Sequence, residues 1–111
     1  MNQSEFDAAK ATAMNAQQEA LTDAYTVFGK AIDEIDREHV ARMEAARAAF
    51  EAVKSDPTHL ANAGTRAAFD AIRGTTPDYT EARAELDRAV RAADAAFNTT
   101  MARLREELAA A

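Results

Sequence analysis

Larger side chains recur through the first half of the chain at Leu21, Tyr25, Phe28, Ile32, Ile35, His39, Met43, Ala46, Phe50 and Val53. The steps of four and three keep them on one side of an α-helix, close to heptad spacing. Towards the end a second series runs Tyr79, Ala82, Leu86, Val90, Ala93, Phe97, Met101, Leu104 and Leu108. Its steps of three, four and four make an 11-residue repeat, the period of a nearly straight helix. No segment alternates with period two, so the expected fold class is all-α.

Three glycines and two prolines punctuate these series. Asp56-Pro57 and Thr76-Pro77 each read as an N-cap followed by the first helical residue, where the missing proline N–H costs nothing. Gly74 reads as the residue that closes the preceding helix. The punctuation predicts helices near 4–55, 57–73 and 77–109, packed as an antiparallel bundle in a single domain over residues 1–111.

Their lengths, about 75, 25 and 50 Å at 1.5 Å per residue, have a consequence. Short loops make consecutive helices antiparallel, so the second helix folds back along the end of the first and the third reverses again. The N-terminal half of the first helix is then left without an in-chain partner, and a second copy of the chain would cover it. The expected contacts of that homodimer are Leu21, Tyr25, Phe28, Ile32 and Ile35, while Phe50, Phe69, Val90 and Phe97 anchor the intramolecular core. A break at Gly29 would instead fold the first helix on itself and close a four-helix bundle.

Composition narrows the function classes. Alanine supplies more than half of the 48% hydrophobic content, so helix propensity is high and the area available for burial is small. The net charge of -6 argues against direct nucleic-acid binding, which needs a basic surface. With no cysteine, disulfides and thiolate metal sites are excluded. The polar MNQSEFDAAK start is unlike a secretory signal, and no stretch reaches the roughly 20 apolar residues of a membrane span. Together these lead to the expectation of a cytoplasmic protein.

Charge is unevenly spread. Residues 1–38 hold eight acids against Lys10, Lys30 and Arg37, and beyond residue 38 the charges nearly balance. Asp33 with Arg37, Glu38 with Arg42 and Asp87 with Arg91 have the acid-first i, i+4 spacing of surface ion pairs. Asp33, Glu34, Asp36 and Glu38 form a candidate acidic docking face. It admits an alternative function, an acidic antagonist of a basic and even nucleic-acid-binding protein.

Candidate chemistry is sparse. Asp36 and His39, and again Asp56 and His59, show an acid three residues before a histidine, the spacing that places two ligands on one helix face in di-iron bundles. They define a second alternative, a carboxylate–histidine metal site. Ile32-Asp33-x-Ile35-Asp36-x3-Val40 resembles the Ile-Asp-x-Ile-Asp start of the all-helical chorismate mutases. That resemblance implies a long first helix in an interlocked dimer and an arginine-lined active site. Two of the arginine positions fall on Gly29 and Ala46 here, so it implies architecture without that activity. No nucleophile elbow or phosphate-cradling glycine loop is present. The expected function is therefore a non-enzymatic helical interaction or assembly module, without cofactor, whose partner is itself or another protein.

Overall fold

The computed structural model describes residues 1–53, 66, 70 and 76–110. Among these residues there are two long helices and no strand. Helix α1 spans Gln3–Val53 and α2 spans Thr80–Ala110. The expected short second helix falls almost wholly outside the described residues, although Arg66 and Asp70 are helical.

A reciprocal cap starts α1. The Glu5 N–H donates to Asn2 Oδ1 at 2.8 Å, and the Asn2 N–H donates to Glu5 Oε1 at 3.3 Å. This capping box satisfies two donors that a bare helix end would leave open, and it fixes the start one residue before the expected position. From there α1 runs without interruption for 51 residues. Gly29 does not break it, so the fold-back at that residue does not occur. A glycine costs a helix only about 1 kcal/mol relative to alanine, which a long run of alanines, glutamates and glutamines outweighs.

The second helix departs from expectation at its start. Thr76 to Tyr79 are non-helical, and the regular helix opens at Thr80 with Glu81 in its first turn. Pro77 is therefore not the first helical residue. The Tyr79 hydroxyl donates to Asp36 Oδ1 of α1, which anchors this residue just ahead of the helix.

The chain forms two compact units, Met1–Lys30 with Thr80–Ala111, and Ala31–Tyr79. In the first, α2 runs antiparallel to the early part of α1. Gln17 Nε2 donates to Asp94 Oδ1 at 2.9 Å, while Ala9 and Thr12 lie beside Arg103 and Leu104. This corrects the expectation that the N-terminal half of α1 has no partner within the chain. Proline and glycine mark where a helix stops and starts, but they do not set the direction of the next helix.

The buried stripes explain the pairing. On α2 the covered positions are Ala82, Leu86, Val90, Ala93, Phe97, Met101, Leu104 and Leu108 of the expected series, together with Ala84 and Thr100. On α1 the covered positions in the unit that holds α2 include Phe6, Ala13, Gln17, Ala24 and Phe28, and Ile35, His39, Ala46 and Phe50 continue the same spacing in the other unit. That stripe also takes about 3.7 residues per turn, an 11-residue period rather than the expected heptad. Two helices with one period stay face to face along their contact.

The core formed by the described residues is thin. Among the described residues the buried apolar side chains are Ala24, Ala46, Ala82, Ala93, Met101 and Leu104. Phe50, Val90 and Phe97 are half-buried, so they border the seam instead of filling it, and Phe69 lies outside the described residues. Alanines let backbones approach closely but remove little area from water, on the order of 25 cal/mol per Å².

Candidate interaction surface

A second apolar stripe runs along α1 beside the buried one. Met14 and Tyr25 are one 11-residue repeat apart, as are Leu21 and Ile32, and as are Gln18, Gly29 and Val40. Eleven residues make three turns, so each set shares an azimuth on the helix. Met14, Tyr25 and Val40 are 51%, 59% and 51% exposed, although all three are large and apolar. Leu21 and Ile32 are half-buried and form the shared edge of the two stripes. Val27, also 59% exposed, falls on the other side of α1.

The five expected contact residues therefore divide. Tyr25 faces outward, and Leu21 and Ile32 lie on the edge. Phe28 and Ile35 share the azimuths of Ala24, His39 and Ala46 on the inner seam. The exposed members that the larger-residue pattern missed are Met14 and Val40, and the buried one it missed is Ala24. Alanine at an inner position carries no size signal to distinguish it from alanine on the surface.

Gly29 sits in the middle of the outer stripe, one turn from Tyr25 and Ile32. A Cβ placed on it would meet nothing within 4 Å. No contact among the described residues requires a glycine there, and the helical backbone has no positive φ that would favour one.

The four acids of the expected docking face do not share one side of the helix. Asp33 and Glu34 are consecutive and so project about 100° apart. Asp36, one repeat beyond Tyr25 and so on its azimuth, is half-buried and accepts the Tyr79 hydroxyl. Glu38 lies 3.8 Å from Arg42. Arg91 and Asp87 approach to 3.1 Å, and Arg88 reaches Glu81 across two turns at 3.2 Å. Of the three expected i, i+4 pairs, that between Asp33 and Arg37 is not formed.

Asp36 and His39 come close to the inner seam on adjacent turns, whereas Asp56 and His59 lie outside the described residues. Among the described residues no group of three or more His, Asp or Glu side chains could hold a metal ion. His39 Nδ1 is shut off from solvent and has no hydrogen-bond partner. The open groove between Ala13, Ala16 and Ala20 of α1 and Ala93, Ala96 and Thr100 of α2 is floored mainly by methyl groups and offers little to hold a polar ligand. No helix among the described residues is long and apolar enough to cross a membrane.

No protein-family model matches this chain, and no curated protein or solved structure matches it.

Proposed function

We propose that the chain is a non-enzymatic helical assembly module that works as a homodimer through the outer stripe of α1. The exposure of Met14 and Tyr25 on one azimuth of the helix, with Val40 on the neighbouring one, is the observation that carries this reading. Scattered single apolar residues are ordinary on a protein surface, but a row at helical period is the pattern of a helix seam. The thin core adds support. Among the described residues the two helices meet largely through alanine, which buries little area, and oligomerisation is a common way for small scaffolds to add burial.

The reading differs from the sequence expectation in which residues make the contact. Phe28 and Ile35 pack inward, and Met14 and Val40 join Leu21, Tyr25 and Ile32. Light scattering across a concentration series tests it directly. A dimer whose mass falls to that of one 12.0 kDa chain on Tyr25→Asp, with helix content retained, is the expected result. A monomer at every concentration overturns it.

A further inference from the structure

Resting on that reading, we infer that Met14 is a redox switch for the dimer: hydrogen peroxide converts its thioether to the sulfoxide, and the oxidised chain no longer pairs through the outer stripe. A contrast inside one compact unit singles it out. Met14 is 51% exposed, whereas Met101 of the same unit is 3% exposed. Oxidation follows access of the oxidant to sulfur, so two residues of identical chemistry differ in reactivity.

The rest of the chain leaves peroxide few competing targets. It has no cysteine, whose thiolate would react first, and no tryptophan. The step is a two-electron transfer. A sulfur lone pair attacks one peroxide oxygen, the O–O bond breaks, and the departing hydroxide collects the remaining proton and leaves as water. Sulfur is oxidised and the peroxide is reduced. A methionine sulfoxide reductase reverses the change, drawing two electrons from a dithiol and releasing the oxygen as water.

The consequence for assembly follows from where Met14 sits. It shares an azimuth with Tyr25 and lies two turns before Leu21, all three within Met1–Lys30. The thioether is apolar, so covering it with a second copy removes apolar area from water. The sulfoxide oxygen is a strong acceptor, and burying it without a donor is unfavourable. In the single chain it is satisfied by water, with Lys10 and Gln18 exposed on the same side of α1, four residues before and after it. Pairing takes that water away. Oxidation therefore favours the separated chains, and a covalent change with a different effect on two states is what shifts their balance. Burial in the dimer also shields the thioether, so the free chain is the species that oxidises.

Two measurements on the whole chain test this. Peptide mapping by mass spectrometry after a short exposure to dilute peroxide reads the order of oxidation, and sedimentation of the same samples reads the dissociation constant. Met14 should oxidise severalfold faster than Met101 in dilute solution, and more slowly once the chain is concentrated enough to pair. The oxidised chain should show a dissociation constant raised roughly tenfold, and a methionine sulfoxide reductase with dithiothreitol should lower it again. Met14→Leu keeps an apolar side chain of similar volume without the sulfur, so its dissociation constant, whatever its value, should not change with peroxide. A wild-type dimer that keeps its affinity with Met14 oxidised, a Met14→Leu dimer that peroxide weakens as much as the wild type, or a Met101 that oxidises as fast as Met14 overturns the switch while leaving the homodimer standing. A chain that is monomeric before peroxide is added overturns both.

Discussion

Gln17 of α1 and Asp94 of α2 are joined by a hydrogen bond of 2.9 Å across 77 residues of sequence. Gln17 is a half-buried residue at a position where the inner stripe would otherwise carry an apolar one, and the bond its amide makes is exposed. The bond therefore satisfies a polar group on the seam and marks which turn of α2 lies beside which turn of α1.

Replacing either partner with alanine is expected to cost about 0.5–1.5 kcal/mol, and the two losses should not add. A double-mutant cycle by urea unfolding measures the coupling. A coupling energy of zero would mean that the bond is idle in solution.

Tyr79 to Asp36 is the corresponding long-range bond in the other compact unit, and here the acceptor is a carboxylate in a half-buried setting. Tyr79→Phe keeps the ring and removes only the donor. A loss of about 1–2 kcal/mol in unfolding free energy is expected, because bonds to charged groups are the stronger kind. An unchanged midpoint would show that water replaces the hydroxyl without cost.

His39 presents the opposite case. Its Nδ1 is buried without a partner, a desolvated group with nothing to offset the loss of water. His39→Leu removes that group and fills similar space, so thermal unfolding should move upward, by the equivalent of about 1 kcal/mol. A lower midpoint would reveal a bond that the imidazole makes in solution.

Ala46 is 3% exposed, with its methyl group enclosed on the seam. Ala46→Leu forces extra carbons into a closed position and should destabilise by about 1–3 kcal/mol. The same change at Ala48, on the exposed side of the same turn, should be nearly neutral. Equal effects at the two positions would contradict the placement of the seam.

Much of the helical architecture is legible in the residue pattern alone, because the large residues Leu86, Val90, Phe97, Met101, Leu104 and Leu108 of α2 leave little choice of face. The first helix is harder. Tyr25 is large and Ala24 small, so size alone assigns the inner position to the wrong one of the pair. Selecting Tyr25 also changes the apparent period from eleven to seven. The start of α1 is written in Asn2 and Glu5, whose spacing is that of a capping box. The direction of α2 is not, since Gly74 and Pro77 signal an end and a beginning in any orientation. Of the candidate surface, Leu21, Tyr25 and Ile32 can be chosen from pattern alone. Met14 and Val40 become evident only when the inner stripe is seen to lie elsewhere.

The alanine-lined seam in the Met1–Lys30 and Thr80–Ala111 unit has a mechanical consequence. Bulky knobs lock two helices at one setting, because moving them means climbing over the neighbouring side chain. Methyl groups such as those of Ala13, Ala24, Ala82 and Ala93 present a smoother track than such knobs, so resistance to lengthwise movement falls on the larger side chains of the seam. Slippage is then opposed by discrete latches: the Gln17–Asp94 bond and the seating of Met101 and Leu104.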